Sequence, residues 1–153
     1  MRDPQFLSWA AGYFEAEGHA SIQKVKGSKN YHYPVVVHIS NSDPEPVRLF
    51  YNNWGGGKWL ESPTEYRTSN GEFKGGKTQF RVLYHWDTAG KVLSDILPYV
   101  KTERKRQQIT LVLEAVRVQE EAASRGKAWG SSNTLSTLYD ELRDSGYGRK
   151  TKG

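Results

Sequence analysis

Two carboxylates stand two positions apart at the end of an apolar stretch, AAGYFEAEG, which covers residues 10–18. Glu15 and Glu17 are followed by Gly18, a residue type that commonly ends a helix in the left-handed conformation. Acids in the last turn of a helix face the negative end of its dipole, where they are disfavoured. A positive charge is therefore expected to offset these glutamates. The alternative interpretation is a solvated helix end without a chemical role.

The helix that carries the two glutamates has a well-defined start in the sequence. Asp3 followed by Pro4 predicts an N-capping carboxylate and a proline at the first helical position. The residues that follow are mostly apolar and leave little polar surface: Phe6, Leu7, Trp9, Ala10, Ala11, Tyr13 and Phe14. Such a helix is expected to be packed on more than one side.

Length and composition limit the classes of protein to which the chain can belong. A chain of 153 residues with 36% hydrophobic residues is long enough for one domain with a proper core. We expect residues 1–125 to form that core, and residues 126–153 to add a C-terminal helix and a basic tail to the same domain. There is no cysteine, which excludes disulfides and thiolate metal sites. The net charge of +5 favours a polyanionic partner, although many proteins that bind none share such a charge.

No apolar run approaches the ~20 residues that span a bilayer. The N-terminus carries an acid at position 3 and has no small-residue cleavage pattern. We therefore expect a soluble protein without a membrane span or a secretion signal, while the compartment is not indicated.

The periodicity of the remaining sequence predicts helices alternating with pairs of strands. Strands are predicted at 19–26, 35–40, 58–67 and 78–84, and helices at 43–54, 87–100, from 104 onward and at 135–145. Asp43 and Asp87 are the predicted N-caps of the second and third helices. The order is therefore helix, two strands, helix, two strands and helices, which is typical of the α+β class.

Four antiparallel strands with helices on one face would leave the other face of the sheet open. Alternation places polar or basic residues at the outward positions: Ser21, Gln23, His38, Lys58, Gln79 and Arg81. A two-stranded ribbon fits the major groove of DNA, where Gln, Arg and Lys read base edges. The alternative is a set of ordinary solvated sheet residues, and alternation alone favours that alternative.

The stretch AAGYFEAEG resembles the nine-residue signature of the LAGLIDADG homing endonucleases. Gly12, Ala16 and Gly18 are the residues of the motif itself. Positions 13 and 14 are aromatic where the motif has aliphatic residues, and positions 15 and 17 are glutamates where it has aspartates. The order αββαββα also matches the unit of that family.

A second stretch, LPYVKTERKRQQITLVLEAV at residues 97–116, resembles the end of the family's third helix, its basic active-site loop and its fourth helix. The two matches occur in the right order, and together the resemblance covers roughly residues 3–125. It implies an α+β unit whose four-stranded antiparallel sheet forms a DNA-binding saddle, with extra C-terminal helices.

The resemblance also implies an active site. By position, Glu17 would ligate a divalent cation, Mg²⁺ with Mn²⁺ as a substitute, beside the scissile phosphate. Lys101 matches a basic residue near that phosphate, and Asn41 matches a polar position that orders the water network. Lys26, Arg104 and Lys105 join the outward sheet residues as predicted DNA contacts. Glu15 is interpreted as structural.

One copy of the motif implies a homodimer, because one half-saddle cannot cover both strands of a site. The expected interface is formed by Ala11, Gly12, Glu15 and Ala16 of the paired motif helices. The implied activity is a site-specific, metal-dependent double-strand break in a long, near-palindromic duplex, with short 3′ overhangs. Such genes reside in introns of organelles, archaea and bacteria. A maturase that binds intron RNA, or a DNA-binding module without cleavage, remains the alternative.

Overall fold

The computed structural model describes residues 2–28, 30–126 and 132–147. Its elements in chain order are α1 (Pro4–Glu17), β1 (Gly18–Ile22), β2 (Val25–Lys26), β3 (Tyr31–His32), β4 (Val35–Asn41), α2 (Pro44–Asn53), β5 (Lys58–Arg67), β6 (Phe73–His85), α3 (Trp86–Ile96), a 3₁₀ turn (Leu97–Tyr99), α4 (Glu103–Ser124), α5 (Ser132–Leu142) and a π turn (Arg143–Tyr147). The predicted α+β class and the αββαββα order are confirmed.

The four main strands form one antiparallel sheet in the order β1-β4-β6-β5. Its register pairs His19 with His38, Ser40 with Arg81, and Lys58 with Leu83. Because side chains alternate across a strand, these partners lie on the same face of the sheet. We call it the open face, since most of the buried residues of the same strands, such as Val37 and Val82, point to the other side.

The opposite face of the sheet carries the core. Val37 and Val82 are fully buried there, and Tyr84 donates a hydrogen bond from its hydroxyl to the Phe50 carbonyl oxygen at 2.8 Å. Trp54, at the end of α2, is buried and donates its indole N–H to Asp95. The core thus joins the sheet to the helices and leaves the open face uncovered by α1 to α3.

Helix α1 begins as the sequence predicts. The Asp3 carboxylate accepts a hydrogen bond from the Gln5 backbone N–H at 2.9 Å, with Pro4 at the first helical position. The helix ends at Glu17, but the prediction of a left-handed Gly18 is wrong, because its φ is −90° and the backbone is extended. The glycine is needed for space: a Cβ there would lie 2.6 Å from the Cε2 atom of the buried Phe14 ring.

The close approach at Gly18 predicts a stability defect. Gly18→Ala is expected to lower the free energy of unfolding by about 1–3 kcal/mol, because a fully buried ring must shift to admit the methyl group. The measurement is chemical denaturation. Gly55→Ala is the matched control, since a Cβ at Gly55 would meet no atom within 4 Å. Equal unfolding midpoints for the two variants would contradict the steric explanation.

The first predicted hairpin is divided into two parts. Strand β1 stops at Ile22, and a separate two-stranded ribbon, β2–β3, follows before β4. The Gln23 N–H bonds the Pro34 carbonyl at 2.8 Å, and Gly27 closes the ribbon by bonding Asn30 at 2.9 Å. Both hydrogen bonds depend on how the two sides of the loop pair with each other. The alternation of residue types along one strand does not indicate such pairing, so it did not predict that β1 ends at Ile22.

Two loop predictions have different outcomes. The predicted end of the second helix near residue 54 is confirmed, and Gly56, in the turn that follows, adopts a φ of +84°, which favours glycine. The prediction of Asp87 as the cap of α3 is wrong. His85 occupies the N-cap position without a side-chain bond, and the helix starts at Trp86, which has a φ of +48°. The Thr88 hydroxyl instead bonds the His85 carbonyl at 2.8 Å.

Helix α5 forms close to its predicted position, and it buries Leu135, Leu138 and Leu142. The rest of the predicted basic tail, residues 148–153, lies outside the described residues. Within the described ranges, no helix has the length and apolarity required to cross a membrane.

Candidate nucleic-acid interface and active site

Glu17 ends α1 with its carboxylate exposed, directly before the first strand of the sheet. Among the described residues, none donates a hydrogen bond to this carboxylate or forms an ion pair with it. Tyr13 lies one helical turn earlier, and burial raises the pKa of its hydroxyl, with the negative charge of Glu17 raising it further. An acid at the negative end of a helix dipole therefore has no hydrogen-bonded or ion-paired partner among the residues that the structure describes.

Glu15, in contrast, is fully engaged. Its carboxylate accepts hydrogen bonds from the backbone N–H groups of Lys101 and of Thr102, the latter at 2.9 Å. Thr102 is the N-cap of α4, so the acid at the end of α1 meets the positive end of the α4 dipole. The predicted structural role of Glu15 has a physical basis in this junction.

The junction predicts that Glu15→Gln destabilises the fold. The amide keeps one acceptor oxygen but loses the charge, so the free energy of unfolding is expected to fall by about 1–2 kcal/mol. Glu17→Gln at the same helix end is the control and is expected to lose no stability and to gain a few tenths of a kcal/mol, because no described residue bonds Glu17 and the unfavourable interaction of its charge with the helix dipole is removed. Thermal unfolding of both variants is the measurement, and equal losses would refute the distinction.

Lys105 provides positive charge at the end of α1. Its ammonium donates a hydrogen bond to the Gly18 carbonyl oxygen at 2.8 Å and lies 5.1 Å from the centre of the Phe14 ring. Burial lowers the pKa of this ammonium, and the charge of Glu15 partly restores it. Lys105 therefore contacts the residue that follows Glu17.

Lys101 lies in a different environment. Its exposed side chain lines a cavity of about 600 Å³ along α4, together with Arg106, Leu111 and Ser145. The family resemblance predicts that Lys101, and not Lys105, is the basic residue near the scissile phosphate. The side-chain contact at the end of α1 is made by Lys105 and spans 87 positions of the chain, whereas Lys101 contacts Glu15 only through its backbone N–H.

Asn41 connects the end of β4 to α1. Its amide nitrogen donates to the Tyr13 hydroxyl at 2.6 Å, and its amide oxygen accepts from the Asp43 backbone N–H at 3.0 Å. Asp43 in turn caps α2 by accepting from the Glu45 N–H. The predicted polar position thus lies beside the helix turn that leads to Glu17.

The register brings most of the predicted DNA-contacting residues onto the open face. The members within the main strands are Ser21, His38, Lys58, Gln79 and Arg81. Gln23 is exposed just beyond β1, Lys26 is exposed in the β2–β3 ribbon, and Arg104 is exposed in the first turn of α4. Further members of this face, which were not singled out from the sequence, are His19, Ser40, Leu60 and Ser62. Because alternate residues of a strand lie on the same face, the pattern that placed Ser21 on this face also places His19 there.

Two histidines meet at the centre of the open face. The rings of His19 and His38 are 5.3 Å apart, and both side chains are partly buried. Burial lowers the pKa of His38 to about 4, and the positive charges of Arg81 and Lys105 contribute. Burial and Lys105 also lower the pKa of His19. Both rings are therefore neutral at pH 7.

The lowered pKa of His38 predicts a pH-dependent stability. Between pH 6.5 and about 4 the unfolded chain binds a proton at this residue that the folded chain does not, so stability falls as the pH falls. His38→Gln is expected to reduce that slope in denaturation midpoints measured from pH 7 to 4. His85→Gln, exposed at the end of β6, is the control, and equal slopes for both variants would contradict the assignment.

One side of α1 is open. Ser8, Gly12 and Ala16 are exposed at four-residue spacing, and a Cβ at Gly12 would meet no atom within 4 Å. Ala11, predicted for the same surface, is instead fully buried in the chain's own core, one position around the helix. The open surface of α1 therefore consists of small side chains and leads to Glu17. We call it the small-residue face.

Within the described ranges there is no group of three or more His, Cys, Asp or Glu side chains arranged to hold a metal ion. Glu17 is the exposed carboxylate at the edge of the open face. Any cation bound there would take this carboxylate as one ligand and its other ligands from elsewhere.

Comparison of the fold with solved structures finds homing endonucleases. The homing endonuclease I-CvuI, solved with the I-CreI target in 2 mM Mg with the DNA not cleaved, superposes with a TM-score of 0.66 at 17% identity, over 97% of this chain and 86% of that chain. The archaeal intron-encoded homing endonuclease I-Vdi141I, complexed with DNA, gives 0.66 at 17% identity, over 99% and 88%.

The LAGLIDADG homing endonuclease I-GzeII in complex with its DNA target gives a TM-score of 0.57 at 16% identity, over 91% of this chain and 43% of that chain. No protein-family model and no curated protein matches the sequence. The signature at the end of α1, the αββαββα order and these three superpositions agree. The chain therefore has the fold of the LAGLIDADG homing endonucleases.

Proposed function

We propose that the chain is a site-specific endonuclease for duplex DNA that acts as a homodimer. The observation that carries the proposal is the position of Glu17. Its carboxylate is exposed and unpartnered among the described residues, where the small-residue face of α1 meets the open face of the sheet. A protein that only bound DNA would gain nothing from a free carboxylate beside phosphates, because the like charges repel.

The open face supplies the groups for DNA recognition. Gln79 and Arg81 are two positions apart on β6, so both side chains point to the groove side and offer donors to base edges. Lys58 and Arg104 carry charges suited to the phosphate backbone. The similar structures were solved with DNA, which supports a duplex as the partner of this chain.

A divalent cation fits the donor set at Glu17. Mg²⁺ prefers oxygen ligands and commonly takes one or two carboxylates together with phosphate oxygens. A single exposed carboxylate in each chain meets that requirement, and Mn²⁺ is expected to substitute. When bound, the cation supplies water activation and stabilises the charge that develops on the scissile phosphate.

The residues around Glu17 have separate roles in this proposal. Lys105 supplies a positive charge at the end of α1, where the ammonium lowers the energy of negative charge on a bound phosphate. The Asn41 amide donates a hydrogen bond to the Tyr13 hydroxyl, and we expect this pair to orient water near Glu17. Lys101, whose side chain lies along α4, is the second candidate for the positive charge.

A homodimer follows from the small-residue face. Gly12 and Ala16 allow two copies of α1 to approach closely, as small residues do at helix contacts. The two-fold axis would then lie between the paired α1 helices, and each Glu17 would serve one DNA strand. Isologous pairing predicts a palindromic or nearly palindromic site. Cleavage across the minor groove would leave short 3′ overhangs.

The test is a binding selection from a random duplex pool, followed by competition with a structured RNA. We expect the enriched duplexes to have two-fold symmetry. An excess of the same duplex, unlabelled, should displace the bound duplex from the protein, whereas the structured RNA should not. Tight binding to structured RNA, without sequence enrichment in duplex DNA, would instead support the maturase alternative.

A further inference from the structure

The β2–β3 ribbon is too short to hold its own shape. Each of its strands has two residues, Val25–Lys26 and Tyr31–His32, and an isolated hairpin of this size is marginal in water. Its strands nevertheless present exposed side chains, since Val25 and Tyr31 are 46% and 48% exposed. Something outside the ribbon must hold these groups in position.

Helix α5 provides that support through Tyr139. The Tyr139 ring lies 5.8 Å from the ring of Tyr33, which is nearly fully buried and immediately follows β3. The ammonium of Lys24, immediately before β2, is 4.5 Å from the Tyr31 ring and 5.9 Å from the Tyr139 ring. Tyr139 thus contacts the chain on both sides of the ribbon.

Tyr139 differs from the other inward residues of α5. Leu135 and Leu138 are buried and attach the helix to the core. Tyr139 is only partly buried, and its ring lies near two cations, Lys24 and Arg143. Cations are attracted to the face of an aromatic ring, which restricts an otherwise mobile lysine. The helix is anchored by its leucines and reaches the ribbon through its tyrosine.

We infer that Tyr139 is a positioning residue for DNA recognition, through which α5 sets the base preference of the β2–β3 ribbon. This inference rests on the proposed function, because it requires the open face to bind duplex DNA. The ribbon loses less conformational freedom on binding when its tip is already ordered, so ordering by Tyr139 strengthens discrimination at the bases that the ribbon reaches.

The position of these bases follows from the length of strand between Glu17 and the ribbon. Gly18 and Val25 are seven positions apart, which at about 3.3 Å per residue is at most roughly 23 Å. Base pairs are spaced by about 3.4 Å, so the ribbon lies at most about seven base pairs outward from the bases near Glu17. Base preference at that distance should depend on Tyr139, whereas preference near the cleavage position should not.

The experiment compares the full chain with Tyr139→Leu, Tyr139→Phe and Lys24→Met in binding selections from a random duplex pool. Tyr139→Leu and Lys24→Met are expected to reduce the preference at the outer positions by about fivefold, near the lower end of what one specific base pair contributes. Tyr139→Phe keeps the ring and is expected to match the original chain. A variant that combines Tyr139→Leu with Lys24→Met should lose less than the sum of the two single losses, because the two side chains are in contact and support the same ribbon.

A second readout needs no DNA. The NMR signals of the Lys24 methylene protons should be shifted by the neighbouring rings, and Tyr139→Leu should reduce that shift. A uniform loss of preference at all positions, or an unchanged outer preference, would overturn the inference while leaving the proposed function intact. If the original chain enriches no duplex sequence, the proposed function fails and the inference fails with it, whatever the Lys24 shift shows.

Discussion

Glu17→Gln is expected to reduce DNA cleavage by roughly 10³-fold or more while leaving DNA binding intact. The amide has the size of the carboxylate but neither its charge nor its affinity for a hard cation, so several kcal/mol of transition-state stabilisation are lost. Binding should persist, because the residues that face the groove are unchanged, and removal of one negative charge favours phosphate contact. The measurement is single-turnover cleavage of the selected duplex, beside equilibrium binding to the same duplex.

Glu15→Gln is the matched control for this prediction, since it changes the same side chain two positions earlier on the same helix. It should lower the unfolding midpoint and leave the single-turnover rate within about threefold at temperatures well below unfolding. The distinction follows from the hydrogen bonds that Glu15 accepts from Lys101 and Thr102. A larger loss of cleavage for Glu15→Gln than for Glu17→Gln would reverse the roles assigned to the two acids.

Gly12→Glu is expected to convert the proposed dimer into a folded monomer. In the single chain, the new side chain extends from a position with open space, and helix propensity improves by about 0.5–1 kcal/mol. In the dimer, two like charges would be buried at the closest approach of the helices. At about 3 kcal/mol for each unpaired buried charge, the dimer dissociation constant should rise by about 10⁴-fold.

Sedimentation velocity across micromolar concentrations measures this change in oligomeric state. Ser94→Glu, which adds the same charge at an exposed position of α3, should leave the dimer unchanged. Cleavage should be lost in Gly12→Glu only, because a monomer covers half of the site. A monomeric original chain, or a dimeric Gly12→Glu variant, would contradict the proposed interface.

The features that sequence predicted are those with local physical causes. Asp3 and Pro4 define the start of α1 through bonds within one helical turn, and strand alternation alone placed His38 and Arg81 on one face. These features depend on neighbours two to four positions away, so the sequence contains them directly. The order of elements followed from the same local patterns.

The features that sequence missed depend on contacts between distant segments. The engagement of Glu15 with the α4 N-terminus and the position of Lys105 against Gly18 each join residues more than 80 positions apart. The reason for a glycine at position 18 is a ring only four residues earlier, but the core sets the orientation of that Phe14 ring, so the sequence pattern did not indicate the close approach. The periodicity of the sequence does not indicate such contacts. The choice between Lys101 and Lys105 as the positive charge near the phosphate was therefore made without the hydrogen bond that Lys105 donates to the Gly18 carbonyl.

The measurement that tests the central claim most directly is a cleavage selection on a large duplex library with Mg²⁺, in which both ends of every cut are sequenced for the original chain and for Glu17→Gln. We predict ends from the original chain alone, within one near-palindromic site, with short 3′ overhangs placed symmetrically about its centre. Equal cutting by Glu17→Gln, or sequence-specific binding without any cut ends, would contradict the assignment of a Glu17-dependent endonuclease.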